Sequence, residues 1–397
     1  MSADVLVVGG GPAGLAAAGV LARGGLAVHV LEAGTYPRVR LCGEFLSPDA
    51  EDALAAFGAR DAVLRLGAPE IRALRVTVAR DGRVHAELRA PLPRPGHGIA
   101  RLDLDALLAD AARTAGADVV ERARVVGVSA EADGVALRVG GRGDVERARA
   151  LVVATGRGPR PAEHGARGGG RDFVAVKLHV RGPELPGVTE LHCVLGAYVG
   201  LNEVACGGAR AVNVCALATR TAWEAAGSEP WRLLEHIARA SPAFAARLAA
   251  ARVVDGSAAT SAAFGFAVRG ATAPGIPHTL VVGDAAVLLP PLAGDGQAAA
   301  LTAGVAAARA LLAEHARGGA LDPAAVAAAA RTWRRRFART HATRVVVARA
   351  LQCAFLRPAA AALLVHAAAA SRAVPAALWR ATRGPLTSAA SCSASRA

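Results

Sequence analysis

Gly9, Gly11 and Gly14 follow a short β-branched run at residues 4–8 and precede an alanine-rich segment at residues 15–23, the spacing of a dinucleotide-binding turn. The first glycine allows the tight turn, the second bares backbone to a pyrophosphate, and the third lets the next helix meet the strand. Pro12 and Ala13 sit at the start of that helix. Glu32 closes the next predicted strand, residues 27–31, and Ala33 follows it. A carboxylate there accepts both ribose hydroxyls of an adenosine and disfavours a 2'-phosphate, so FAD or NAD fits better than NADP.

Two further motifs lie far along the chain. Apolar residues 280–282 lead into Gly283-Asp284-Ala285-Ala286, and Pro290-Pro291-Leu292-Ala293-Gly294-Asp295-Gly296-Gln297 opens a long alanine-rich stretch. With the fingerprint, with Arg101 at the start of a predicted helix, and with Arg40-Leu41-Cys42-Gly43-Glu44-Phe45-Leu46-Ser47-Pro48, they resemble the FAD-binding domain of the para-hydroxybenzoate hydroxylase superfamily. The resemblance spans nearly the whole chain and is closest to the branch of geranylgeranyl reductases, flavin-dependent halogenases and related monooxygenases. It implies FAD as cofactor and NADH or NADPH as electron donor. It also implies that Gly9, Gly11 and Gly14 bind the pyrophosphate, Glu32 the adenosine ribose, Arg101 the phosphate and ribityl region, and Asp284 the ribityl chain. Arg40, Val125, Ala154, Thr155, Gly156 and Gly283 belong to the same implied cofactor set.

Several of these residues have a second reading. Asp284 is a short acceptor just past a strand end, or a helix N-cap; Arg101 is a cofactor ligand, or one half of a salt bridge at a helix start. Pro290, Pro291, Gly294, Gly296 and Gln297 mark the expected isoalloxazine site, where glycine backbone at a helix N-terminus offers partial positive charge to an anionic reduced flavin. Cys42, beside Gly43, is a flavin contact or a small buried side chain, and Glu44 a polar anchor or a surface acid. Cys42, Glu44 and Pro290 are the candidates for a catalytic part, which otherwise has no assignable residue. Ala154-Thr155-Gly156-Arg157-Gly158 stands where the superfamily's hydroxylases carry Asp-Gly. Residues 196–202 lack the tryptophan motif of halogenases and Lys177 falls within a predicted strand, so halogenation is disfavoured.

The elements that must position these residues can be read coarsely. After the β-α-β opening, residues 71–78 and 83–88 alternate across Asp81-Gly82 as a hairpin, and residues 101–115 read as a helix. Strands are expected at 119–128, 135–139 and 151–154, then a Gly/Arg/Pro-rich crossing at 156–171, then four strands between 173 and 217. Residues 231–250 read as one helix, and the chain from Pro323 as helices interrupted at Pro358 and Pro375. The expected fold class is α/β, a Rossmann-type FAD-binding domain interleaved with an antiparallel-sheet substrate domain, plus a C-terminal helical region. The FAD-binding domain takes residues 1–70, 96–171 and 271–322, the substrate domain 71–95 and 172–270, and the helical region 323–397.

The chain has 397 residues, 53% of them hydrophobic, which excludes a small binding module or a disordered segment. Its charge of +14 lacks the aromatic interleaving of a nucleic-acid platform, since aromatics are 4% and Lys177 is the only lysine among 46 basic residues. Residues 323–397 contain no acid. The six cysteines and eleven histidines show no metal spacing, so no metal is expected, each histidine is structural by default, and a reducing cytoplasm fits. The glycine-broken N-terminal stretch lacks a basic n-region and is expected to belong to the fold, not to a signal peptide.

The first functional expectation is an FAD monooxygenase that epoxidises or hydroxylates an apolar, polyketide or isoprenoid substrate through a flavin C4a-hydroperoxide, as the resemblance implies. The second is a reductase of isoprenoid double bonds. The third is a membrane- or carrier-associated flavoprotein without monooxygenase activity, touching anionic lipid or an acidic carrier through Arg331 to Arg349, with Phe355, Leu356, Leu363, Leu364 and Trp379 available to the interface. A cytoplasmic location with peripheral membrane contact follows from that last reading.

Overall fold

The computed structural model describes residues 3–141, 143, 145–158, 172–273, 275–371 and 373–383. In chain order the strands are β1 (Ala3–Val8), β2 (Val28–Leu31), β3 (Phe45–Leu46), β4 (Glu70–Arg80), β5 (Arg83–Gly98), β6 (Asp118–Val120), β7 (Val125–Glu131), β8 (Gly134–Val139), β9 (Val145–Val153), β10 (Phe173–Arg181), β11 (Val188–Val194), β12 (Ala197–Cys206), β13 (Ala209–Thr219), β14 (Arg252–Val253), β15 (Ala259–Phe264) and β16 (Thr279–Val281). The helices are α1 (Pro12–Arg23), α2 (Glu51–Ala56), α3 (Arg60–Arg65), α4 (Arg101–Thr114), α5 (Arg220–Ala225), α6 (Pro230–Ala240), α7 (Pro242–Ala249), α8 (Gly296–Gly318), α9 (Pro323–Phe355), α10 (Pro358–Ala370) and α11 (Ala373–Thr382).

Two sheets organise the molecule. The first runs β6-β2-β1-β9-β8-β7, with β16 also beside β9. Its strands β6, β2, β1, β9 and β16 are parallel, and β1, β2, β16 and residues 150–153 of β9 are almost wholly buried, as continuous Val/Leu/Ala runs with helices packed on them should be. The chain leaves β1 toward β2 on one side and later returns to β9 on the other, so the fingerprint turn sits at the topological switch point, where ligands of open α/β sheets lie. β16 returns to this sheet beside β9 and delivers Gly283-Asp284 to the same edge.

The second sheet runs β14-β10-β13-β12-β11-β4-β5-β3, with β15 beside β10, and is antiparallel except for the β4–β11 pair. One face is sealed by α6 and α7 through Leu233, Leu234, Ile237 and Phe244. The opposite face carries Lys177, His179, Asn213 and Cys215 at neighbouring register positions of β10 and β13 and is apolar farther along.

Four segments differ from the sequence expectation. The strand expected at 119–128 is two, β6 and β7, because Arg122 turns at φ 57°. β5 does not stop at Leu88 but continues through Pro91, Pro93 and Pro95; it meets only the two-residue β3 on its outer side, so most of its length is an edge, where a missing N–H is tolerated. The helix expected at 231–250 breaks into α6 and α7 because Ser241-Pro242 caps and starts a new helix, the Ser241 hydroxyl accepting from the Phe244 N–H. Pro375 lies in the first turn of α11, where proline is tolerated, and the break falls at Ser371 instead. Of the Gly/Arg/Pro-rich crossing, residues 159–171 lie outside the described residues.

Candidate functional site

The fingerprint turn is built for close approach. Gly9 stands at φ +103°, and a Cβ on it would overlap the Ala154 carbonyl, while a Cβ on Gly14 would overlap the Gly9 carbonyl. Ala154 and Thr155, just past β9, thus press on the turn from one side. Gly11 differs, because a Cβ there would meet nothing within 4 Å. It is the N-cap of α1, with no side-chain cap and no acid in the first turn, so the N–H groups following Pro12 and the positive helix end point into open space.

Glu32 holds this end together. Its Oε2 accepts the Gly10 N–H (2.7 Å), its Oε1 accepts the Gly34 N–H (2.8 Å), and Arg38 ion-pairs with it. Burial pushes the Glu32 carboxyl up, but Arg38 and the two N–H groups outweigh this and hold it below the usual carboxylate value. Oε1 spends both lone pairs on Gly34 and Arg38, whereas Oε2 keeps one for a ribose hydroxyl. The 120–125 segment packs here through Ala123 N–H to the Glu32 carbonyl (2.8 Å), with Val125 two residues on. Arg40, half exposed, lies 3.7 Å from Glu32 Oε1 and Ala33 continues the turn.

Asp105 continues the crease. Fully buried, it takes Arg101 in a bidentate pair (Nε–Oδ1 2.6 Å, Nη2–Oδ2 2.8 Å) and Arg38 Nε at 3.3 Å. The salt-bridge reading of Arg101 therefore holds, and the bridge fixes its guanidinium near Asp284. Burial raises the Asp284 carboxyl, and Arg157 and Arg101 offset this only in part. Asp284 caps no helix, since the 3-10 turn Gly283–Ala285 has Val282 as N-cap.

Cys42 joins three parts of the chain. Its Sγ accepts from Gln297 Nε2 (3.2 Å) at the start of α8, and its carbonyl accepts from Asn213 Nδ2 (3.2 Å) on β13. Gln297 Oε1, Asn213 Oδ1 and Thr155 Oγ1 are buried without a hydrogen-bond partner. Gly43 has open space where a side chain would stand. Gly294 turns at φ 62° after the short 3-10 turn of Pro291–Ala293, which Pro290 caps, and Gly296 opens α8.

Glu44 is no surface acid. It is 1% exposed at φ 54°; Oε1 receives Lys177 Nζ (3.1 Å) and the Arg101 backbone N–H (2.9 Å), and Oε2 meets His179 Nε2 at 2.5 Å. The carboxylate thus sits on the N-terminus of α4, where the helix dipole favours it. His179, expected to be merely structural, belongs to this constellation, with Nδ1 3.4 Å from Cys206 Sγ. Burial would lower its pKa, but the bonds to Cys206 and Glu44 raise it to about 9.

The loop that carries Gly294 is anchored from the C-terminal region. Asp295 ion-pairs with Arg344 of α9 and with Arg383 (3.4 Å), and Arg383 also reaches Asp49 (3.2 Å) and donates to the Ala293 carbonyl (2.7 Å). Burial, then their mutual repulsion, lowers Arg344 to about 10. Arg344→Ala is expected to cost about 3 kcal/mol, the penalty for leaving a buried Asp short of a partner. It should also speed flavin dissociation, and chemical denaturation with a fluorescence off-rate checks both.

Leu292 packs against an apolar cluster formed by Val76, Val78, Tyr198 and Leu217 of the second sheet and by Ala361 and Val365 of α10. Phe173, Phe264, Phe266 and Phe355, half of the chain's eight phenylalanines, stand partly buried around it. Phe266 packs on Phe173 (5.0 Å between centroids) and edge-on to Phe264 (5.6 Å), over which Arg157 sits. A separate open depression of about 920 Å³ between α3 and α4 contains none of the motif residues.

An FAD fits these residues: Gly11 and α1 would hold its pyrophosphate, Glu32 its adenosine, and Cys42, Gln297 and Gly294 its ring, beside the unpaired Gln297 Oε1, Asn213 Oδ1 and Thr155 Oγ1. Residues 2–342 match the FAD binding domain family. Menaquinone reductase of Mycobacterium tuberculosis is 39% identical over 133 residues, covering 32% of this chain and 31% of that protein. The chain thus matches under a third of that relative's length. The flavin-dependent brominase Bmp2 superposes with a TM-score of 0.78 at 18% identity over 97% of this chain and 94% of its own. A geranylgeranyl bacteriochlorophyll reductase-like protein of Thermoplasma acidophilum gives 0.71 at 22% over 95% and 96%. At these identities the likeness to solved structures shows the fold.

Proposed function

The chain belongs to the FAD binding domain family, among the FAD-dependent oxidoreductases of the para-hydroxybenzoate hydroxylase superfamily, and from that premise we propose that it is a monooxygenase of an apolar substrate. The observation that supports this reading is the apolar, phenylalanine-bordered cluster packed against Leu292 of the flavin loop, the region we assign to the substrate. Bound FAD supplies the redox chemistry, passing electrons to dioxygen or hydride to carbon.

The protein's own residues bind, orient and exclude water. Leu292, Phe264 and Phe266 would present apolar surface to the substrate, and the Tyr198 hydroxyl within the cluster is committed to Gln352 Oε1 (3.1 Å). An apolar, water-excluding surround protects reactive oxygen species from water and favours alkene or aromatic guests. His179 holds a proton on Nε2 against Glu44, so Lys177, Glu44 and His179 together carry net positive charge behind Cys42 at neutral pH. That charge favours an anionic reduced ring, the form that reacts with oxygen.

The second reading, reduction of isoprenoid double bonds, is favoured by the partial identity to menaquinone reductase and would seat a polyprenyl chain in the same apolar region. Stopped-flow mixing of the anaerobically reduced holoenzyme with oxygenated buffer separates them. A transient spectrum distinct from both reduced and oxidised flavin, prolonged by an apolar alkene or arene, is the expected result. One-step reoxidation with and without such a guest would pass the assignment to the reductase. NADH and NADPH, compared as reductants in the same instrument, identify the donor.

A further inference from the structure

α10 contains no charged residue in its thirteen positions, yet only one side of it is buried. The inner side, Ala361 and Val365, packs into the apolar cluster beside Leu292. On the outer side Leu363 is 72% exposed beside exposed Ala359, His366 and Ala367. At the α9–α10 corner, Gly196 donates its N–H to the Leu356 carbonyl (2.9 Å), which sets Leu195 of the β11–β12 turn, 61% exposed, next to the start of α10. Val346, 67% exposed, lies on α9 between exposed Arg339 and Arg349. Nothing among the described residues covers these side chains.

The charge along the C-terminal helices has one sign. Residues 323–383 hold no acid, and Arg331, Arg335, Arg339, Arg349, Arg357 and Arg380 are exposed. The full basic face expected from the sequence is narrower, since Arg344 points inward to Asp295, Leu356 is buried, Phe355 packs on the apolar cluster, and Trp379 lies beneath Arg383. α10 is about 20 Å long at 1.5 Å per residue and bends 116° from α9, so neither it nor the pair is a straight span of a core of about 30 Å. α8, the one described helix long and apolar enough to cross a bilayer, is instead mostly buried, packed against α1 and α9.

We propose that α10 and its corner with α9 dock on an anionic lipid bilayer, with Leu363 and Leu195 entering the headgroup–acyl boundary and the flanking arginines meeting lipid phosphates. A bilayer requires only apolar area and cations. A protein partner would find little to read, because His366 is the one side chain on the outer side of α10 that can hydrogen-bond. The proposal deepens the function above, since the helix that touches lipid also packs into the apolar cluster assigned to the substrate, but its test reads binding alone.

Flotation of the holoenzyme with phosphatidylcholine vesicles, with and without phosphatidylglycerol, tests it. The protein should float only with the anionic vesicles and be released by added salt. Leu363→Asp should lower the bound fraction about tenfold or more, with FAD content and reoxidation kinetics unchanged. Arg339→Gln with Arg357→Gln should weaken binding to the anionic vesicles without altering the fold. No flotation, or flotation that Leu363→Asp leaves intact, would overturn the proposal. So would a dimer in light scattering that Leu363→Asp dissociates, which would make a second copy the occupant. Each of these outcomes leaves the reoxidation result standing.

Discussion

Gly11→Ala is expected to lose at least about 100-fold in FAD affinity, about 2.7 kcal/mol, while the ligand-free protein folds as before. Gly11 has extended backbone (φ −92°, ψ −177°) that alanine adopts without strain, and its added methyl would meet no protein atom within 4 Å. The open space is where a pyrophosphate must reach the first N–H groups of α1, so the methyl displaces the ligand and nothing else. Gly9→Ala is the contrasting variant. At φ +103°, with its Cβ overlapping the Ala154 carbonyl, it should fail at the level of folding. FAD titration alongside thermal melting of the ligand-free protein separates the two. Wild-type affinity in Gly11→Ala would place the pyrophosphate elsewhere and undo the site as drawn.

That contrast also marks what a sequence can disclose. The fingerprint and Glu32 are readable because the chemistry is local: strand, turn, helix and acid follow within some thirty residues, and spacing alone sets their geometry. The α/β class was readable for the same reason. Asp105 carried a usable signal, four residues after Arg101 on one helix, that points to the pair they form. The split between α6 and α7 was written in Ser241-Pro242 as well. Lys177 and His179 carried none, because they join Glu44 across 133 and 135 residues and alternate inside a strand like any half-buried pair. Arg344 looked like its exposed neighbours, for nothing in a helical pattern reveals that Asp295 waits inside. The apolar cluster is equally silent, since Val76 and Val78 read as core whether or not a substrate touches them.

Glu44→Ala is expected to destabilise the fold by about 3–5 kcal/mol, because it strands a buried lysine and a buried imidazolium without their shared carboxylate. Glu44→Gln refines the test. The amide oxygen can still accept the Arg101 N–H, so the cap on α4 survives while the charge disappears. pH then reports on the missing attraction. His179 titrates at about 9 in the folded protein against an ordinary 6.5. Below about pH 6.5 both states hold the proton and the full stabilisation is present. As pH rises toward about 9 the native state keeps a proton that the unfolded chain has released, stability falls, and above that value the contribution is gone. A shift of this size corresponds to at most about 3 kcal/mol, read as a falling denaturation midpoint from neutral to alkaline pH. Glu44→Gln should flatten that slope as well as lower its starting point, since the Cys206 bond alone leaves His179 far less reason to stay charged. A variant that keeps the wild-type slope would show that the proton on His179 is held by something other than Glu44, and the positive charge assigned behind Cys42 would lose its cause.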